Sequence, residues 1–409
     1  MTADPQGATV SSPRRHLFPL YAAGFTTAFG AHAVAANLGA YSVGHGQSLL
    51  LLGAMLALYD GAEVLLKPVF GTLSDRIGAR PVLLGGLAAF GLFSAAFVLA
   101  RDPAWLWLAR VGQGAAASAF SPAASTLVSR LNPTNRQGRA FGSYGFYKSI
   151  GYTAGPLIGG ALVAAGGLEL LFTITALLAL AVAVWAFLGV PVASPLPRSR
   201  QTVADLARRL ADRAFLAPAA ALAAATAALS VGVGFLPLSG SAAGLGPVAT
   251  GAAVSLLALC AAVVQPLAGR ASDTPTGPGR LTVLGLALTA AGLAAAMLPG
   301  IAGLLAAAVG IGAGTGIITP VAFAALATAT PPERLGQTMG AAEVGRELGD
   351  AGGPLLVGAV AAAAGLTAGY GALALLTAAV GVFLRRPRTR TGGKSPAVAE
   401  TSPNRTEPG

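Results

Sequence analysis

Long apolar runs, separated by short polar segments that carry arginine, repeat along almost the whole chain. A membrane span needs roughly 20 mainly apolar residues. Twelve runs meet that requirement: 17–40, 48–70, 81–100, 104–129, 140–165, 168–190, 215–238, 247–268, 281–299, 301–326, 338–364 and 366–384. The stretch 191–214 breaks the pattern with Pro191, Pro195, Pro197 and several arginines, followed by an amphipathic run from Val203 to Ala211. It reads as a linker with an interfacial helix. The expected organisation is a polar tail (1–16), a six-helix bundle (17–190), the linker (191–214), a second six-helix bundle (215–384) and a basic tail (385–409). The fold class is therefore an all-α integral membrane protein with twelve transmembrane helices.

The two bundles are copies of one another at a constant offset. Pro68 pairs with Pro266, Gly71 with Gly269, Ser74 with Ser272 and Asp75 with Asp273, all 198 positions apart. The same spacing pairs Gly112 with Gly310, Gly114 with Gly312, Pro122 with Pro320, Gly142 with Gly340, Lys148 with Arg346, Gly151 with Gly349 and Pro156 with Pro354. A register kept across five spans without a gap is not produced by chance among 56 glycines and 27 prolines. Each copy holds an even number of spans, so the repeats are parallel, and parallel repeats place a binding site between the halves near the bilayer midplane.

Charge agrees with this reading. Only 10% of residues are charged, 54% are hydrophobic and the mean hydropathy is +0.70, whereas a soluble domain carries about 25% charged residues. The net charge of +11 could suggest nucleic acid, but its distribution points to a membrane. With the N-terminus inside, Arg101 is the only Lys or Arg in an outside loop; Lys67, Arg110, Lys148 and Arg346 lie inside spans, and all the others fall on the inner side. The positive-inside rule then places both termini in the cytoplasm. Heavy use of Ala, Gly and Arg points to a bacterial inner membrane. The single cysteine, Cys260, allows neither an intrachain disulfide nor a cysteine-based metal site.

Three motifs follow from this frame. After the second span comes Gly71-Thr-Leu-Ser-Asp75-Arg76-Ile-Gly78-Ala-Arg80, which suits a tight inner turn in which glycines allow close backbone approach. The fourth span carries Arg110-Val-Gly-Gln113-Gly114. The fifth carries Gly151, Gly155, Pro156, Gly159 and Gly160 in the spacing G-x-x-x-G-P-x-x-G-G, where small residues let helices pack closely and Pro156 removes a backbone donor. The first motif resembles the loop signature of the major facilitator superfamily at every defined position, and the second resembles that family's R-x-x-Q-G motif. The third resembles the glycine-proline motif of members that export by antiport.

The resemblance implies the major facilitator fold and a drug:proton antiporter type of activity. It implies that Gly71, Asp75, Arg76, Gly78 and Arg80 gate the cytoplasmic side by contact with the start of span eleven, and that Arg110 is linked to proton transfer. The second-half copy, Gly269 to Asp273, lacks the arginine that follows Asp75. Many antiporters of this kind have an acid in span one; this chain has none there.

Ionisable residues inside a span are costly and usually functional. Span two has Asp60, Glu63 and Lys67, span four Arg110, span five Lys148, and span eleven Glu343, Arg346, Glu347 and Asp350. Five acids face four bases, so one carboxylate is short of a partner and can carry a proton. Asp60, Glu63, Arg110, Glu347 and Asp350 are the candidates for proton coupling. Glu63 and Lys67 have the i,i+4 spacing of a same-helix pair, although Lys67 can also snorkel to the inner interface. Glu343 reads as a cap or gate partner for the loop motif. Lys148 and Arg346 can flank an anionic substrate or merely neutralise acids, and His32 in span one reads as a polar cavity wall or a proton relay.

The expected function is secondary active, proton-coupled export of a small drug-like or metabolite substrate by alternating access. The alternative is proton-coupled symport or exchange of an organic anion. No G-x-x-x-x-G-K-[ST] motif is present, which argues against a primary pump or enzyme. The expected partners are the small-molecule substrate, protons and the lipid bilayer, with no nucleic acid, no cofactor and no metal. The chain is expected to act as a monomer.

Overall fold

A computed structural model describes residues 14–44, 49–100, 103–192, 211–245, 247–274 and 277–385. Among these residues the chain is almost entirely helical and has no strand. The helices are α1 (Arg14–Gly44), α2 (Leu49–Ile77), α3 (Ala79–Ala100) and α4 (Pro103–Arg130). A continuous run, Gln137–Gly189, is broken by non-helical backbone at Gly166 and Gly167, which divides it into α5 (137–165) and α6 (168–189). The second half contains α7 (Arg213–Ala242), α8 (Pro247–Ser272), α9 (Gly277–Ala295), α10 (Gly300–Ala329), α11 (Leu335–Ala364) and α12 (Leu366–Arg385). In lipid each backbone polar group must find its partner within the protein, and a helix satisfies them locally. Buried hydroxyls obey the same constraint: Thr26, Ser94, Thr126, Thr175, Thr289 and Thr377 each donate to the carbonyl four residues earlier on their own helix.

The twelve segments match the twelve runs of the sequence, with differences at their ends. The expected tight turn over Gly71–Arg80 is corrected: α2 continues as helix through Ile77, and the reversal is made by Gly78 alone, at φ 99°. Positive φ is open to glycine and costly for other residues. Residues 203–210 of the amphipathic linker run and most of both tails lie outside the described residues.

The offset of 198 reappears as equivalent contacts. A Cβ on Gly71 would meet the Gly336 carbonyl oxygen at 2.5 Å, and one on Gly269 would collide with the carbonyl oxygen of Gly138, the mate of Gly336. A Cβ on Gly151 would meet the Phe25 carbonyl oxygen, and one on Gly349 that of Ala223, again 198 residues on. These contacts between small residues bring helix backbones together where burial of apolar surface supplies no drive in lipid.

The halves meet chiefly through α5 with α8, α2 with α11, α5 with α10 and α4 with α11. Phe141 and Phe323 stack across the junction of α5 and α10 with ring centroids 5.6 Å apart. The cross-half contacts run from the face that carries Arg76, Arg130 and Arg334, called here the basic face, to the level of Tyr152 and Glu347.

Candidate functional site

Helical periodicity places Tyr59, Asp60, Glu63 and Lys67 along one side of α2, and Glu343, Arg346, Glu347 and Asp350 along one side of α11. Where α2 and α11 approach, with α5 beside them, six of the charged groups form one network. Lys67 Nζ donates to Glu347 Oε1 at 2.7 Å, pairs with Glu63 and lies 3.9 Å from Glu343. Lys148 Nζ is 3.8 Å from Glu343 Oε1. Arg346 donates to Glu343 Oε2 at 3.1 Å, to Glu347, and to the Tyr152 hydroxyl at 3.3 Å. Three cations thus balance three carboxylates. Charges removed from water are tolerated when paired and hydrogen-bonded, and removing one member leaves its partners uncompensated.

Two sequence expectations are corrected here. Lys67 does not snorkel, because it is 0% exposed and its ammonium is surrounded by three carboxylates. Glu343 is neither a cap nor a partner of the loop motif; it is 1% exposed and sits among Lys67, Lys148 and Arg346.

Asp60 and Asp350 stand outside this balance. Both are accessible, and among the described residues neither forms an ion pair. Asp60 is within electrostatic reach of Glu63 and Arg110 in its own half and of Glu347 and Asp350 in the other, so it faces the space between the halves. His32 meets the ring of Tyr152 edge-on at 4.4 Å, and its Nδ1 is 3.1 Å from the Ala28 carbonyl oxygen. Arg110 is buried with its guanidinium 4.3 Å over the Tyr59 ring. Its side chain also reaches Gln113 at 3.4 Å, and Gln113 donates to Ser94 at 2.8 Å. The Arg110 Nε has no partner among the described residues.

The loop motif acts mainly through Asp75. Its two carboxylate oxygens each accept from a backbone N–H at the start of α11, Gly336 and Gln337, both at 2.8 Å. A carboxylate at a helix N-terminus meets both free donors and the positive end of the helix dipole. Arg130 lies 3.6 Å from Asp75 and donates to the Pro332 carbonyl oxygen at 2.8 Å. Arg80 stays within its half, donating to the Phe187 carbonyl at the end of α6 and covering its ring. Arg76 is exposed. The second copy repeats the latch: Asp273 accepts from Gly138 N at 2.8 Å and from Arg139 N at 3.3 Å, at the start of α5.

In the glycine-proline motif, Gly151, Gly155 and Gly159 form one ridge against α1, where a Cβ would press on Phe25, Phe29 and Ala33. Gly160 has only ordinary contact with Asn37, and Pro156 is exposed. Tyr152, within the same motif, contributes the chemistry by contacting His32 and Arg346. Tyr59, Tyr152 and Arg130 join the site without a local signal in the sequence. So do Gln265 and Ser149, which hydrogen-bond each other at 2.7 Å between α8 and α5. The offset of 198 would have found the last pair, since these positions are the mates of Lys67 and Glu347.

Two parallel six-helix repeats with a charged centre between them define a multi-pass membrane protein of the two-bundle class. The family model of the Major Facilitator Superfamily matches residues 20–249 and 219–407. The chain belongs to that superfamily. Among curated relatives it is 33% identical over 139 residues to the multidrug resistance protein MdtG of Rahnella sp. (strain Y9602), covering 34% of each chain. It is 34% identical over 146 residues to the inner membrane transport protein YajR of Escherichia coli (strain K12), covering 34% of this chain and 31% of that one. It is 28% identical over 109 residues to the quinolone resistance protein NorA of Staphylococcus aureus, covering 27% and 28%. The alignments span about a third of these relatives or less.

Among solved structures, the fold resembles the human organic anion transporter MFSD10, with a TM-score of 0.75, 17% identity and coverage of 92% and 100%. It also resembles FucP in the outward conformation, with a TM-score of 0.77, 17% identity and coverage of 90% and 97%.

Proposed function

We propose that this chain is a proton-coupled exporter of small amphipathic compounds that works by alternating access between residues 17–190 and 215–384. The observation that carries this reading is the charge pattern of the centre. Three cations and three carboxylates neutralise each other across the halves, leaving Asp60 and Asp350 accessible and, among the described residues, without an ion pair. With the basic face on the cytoplasmic side, as the distribution of arginines indicates, the structure is closed to the cytoplasm. Asp60 is then the group that takes a proton from outside. Arg110, buried and without a carboxylate partner among the described residues, is the charge that can hold Asp60 ionised in another state.

The two halves differ at equivalent positions. Asp60, Glu63, Arg110 and Gln113 have as their repeat mates Ala258, Ala261, Ala308 and Ile311. The first half therefore carries charged and polar groups where the second is apolar, an asymmetry that suits a ligand with one polar end and an apolar body. The names of the relatives, a multidrug resistance protein and a quinolone resistance protein, support export of such compounds.

A second reading, exchange of an organic anion, draws on the fold shared with an organic anion transporter. It asks Lys148 and Arg346 to bind the anion. Both are already engaged, by Glu343 and by Glu343 with Glu347, so an anion would have to displace a carboxylate. The test is purified protein in liposomes under an imposed pH gradient, offered lipophilic cations, neutral amphiphiles and organic anions. Gradient-driven movement of the first two supports export; movement of anions alone supports the second reading.

A further inference from the structure

The two latches on the basic face differ in one volume. Beside Asp75, the space between α2, α4 and the start of α11 is filled by Arg130, whose side chain is 12% exposed, 3.6 Å from the carboxylate and hydrogen-bonded to Pro332. Beside Asp273 the equivalent space is a cavity of about 420 Å³ lined by Thr134, Asp273, Thr274, Pro278, Ala325 and Thr328, among others. The 198-residue offset explains why it is open. Thr328 is the mate of Arg130, Ala325 of Leu127, Ala329 of Leu131 and Thr274 of Arg76. Each large residue of the first latch is replaced by a small one. Thr328 turns its hydroxyl back onto the Ala324 carbonyl at 2.8 Å and does not approach the role of Arg130.

We infer that this cavity is a binding site for a small alkylguanidinium cation, which completes the second latch and holds the basic face closed. The first latch is the guide to the ligand's chemistry, because at the equivalent place the protein itself puts a guanidinium against a carboxylate and a backbone carbonyl. Asp273 is the charged residue among those lining the cavity. Among the described residues the only cation paired with it, Arg139, approaches from the solvent side at 4.0 Å with 55% of its side chain exposed, so the carboxylate is only partly neutralised. A guanidinium offers planar paired donors that match a carboxylate. Its alkyl body would lie against Ala325, Ala329 and Pro278 in the space their larger mates occupy on the other side. The ligand bridges Asp273, at the end of α8 in one half, and the start of α5 in the other, so it binds the closed arrangement and shifts the population toward it. This inference rests on the repeat geometry and does not depend on the transported substrate.

The test uses the full chain in nanodiscs with Cys260→Ala and spin labels at Arg136→Cys and Arg270→Cys, exposed positions in opposite halves on the basic face. Ethylguanidinium is titrated and the distance distribution is read, with the neutral isostere ethylurea and equimolar sodium chloride as controls. The expected result is a shift toward the short, closed distance with ethylguanidinium alone. Thr328→Arg should show the closed distance without ligand and no further shift, and Asp273→Asn should not respond. If Thr328→Arg does not fold, Ala325→Leu fills the same cavity and should likewise abolish the response. No shift in the parent protein, or an equal shift in Asp273→Asn or in the filled-cavity variant, would overturn the assignment.

Discussion

On the α2–α11 seam, Lys67 meets Glu347 at 2.7 Å inside a six-membered ionic network. On the α5–α8 seam the mates of those residues, Gln265 and Ser149, meet at the same 2.7 Å through a single neutral hydrogen bond. The backbones beneath are equivalent: Gly340 packs on the Lys67 carbonyl as Gly142 packs on that of Gln265. Even Glu343 has its counterpart in Gly145, whose missing Cβ leaves room for the Gln265 side chain. The repeat thus determines how the helices approach, while side chains at equivalent positions assign different work to the two seams. At this depth one seam is held by paired charges and the other by a neutral hydrogen bond.

Several substitutions would break or sharpen that contrast. The largest effect is expected from Lys67→Gln, which leaves Glu63, Glu343 and Glu347 with too little positive charge; loss of one partner from a buried ion pair costs about 3–5 kcal/mol. Adding Glu347→Ser copies the neutral seam onto the charged one and restores a balance of Glu63 and Glu343 against Lys148 and Arg346. Thermal melts in detergent should show the double variant more stable than the single, with strong non-additivity as expected for residues in one network. A double variant as unstable as the sum of its parts would mean the six charges do not act together.

Next in size is the comparison of Asp75→Asn with Asp273→Asn. Asp75 holds two backbone donors and Arg130, whereas Asp273 holds its donors with one longer bond and a half-exposed arginine. Asp75→Asn should therefore reduce turnover more, with substrate affinity little changed because Asp75 lies at the basic face and not in the charged centre. Transport rates and equilibrium binding on the same preparations check this. Equal losses of turnover would make the two latches equivalent.

The smallest expected effect is that of Gln265→Ala. It removes one neutral hydrogen bond, a net contribution of about 0.5–1.5 kcal/mol, and should lower the melting temperature slightly without altering the pH dependence of transport. A changed pH dependence would show that the α5–α8 seam also takes part in coupling.

The sequence made the helices legible because lipid imposes a simple rule, and a run of about 20 apolar residues reports it directly. The end of α2 was less legible. Residues 71–77 are glycine-containing and polar, yet they remain helical because Asp75 and Ser74 lie between the halves and Gly78 alone can reverse the chain. The set of intramembrane charges was also legible, but their pairing was not. The i,i+4 spacing offered Glu63 to Lys67 correctly, while Glu347 and Glu343 reach the same ammonium from 280 and 276 residues away, a proximity that no local pattern contains. Tyr152 was hidden among glycines that do serve packing.

Whether Asp60 carries the coupling proton is read from transport by Asp60→Asn in liposomes, with gradient-driven accumulation and downhill exchange recorded on one preparation. Asn keeps the size of the side chain and cannot take up the proton. If Asp60 carries the proton, accumulation is abolished while exchange stays close to wild type. A variant that still accumulates substrate with the wild-type pH dependence would contradict it and move the coupling site to Asp350.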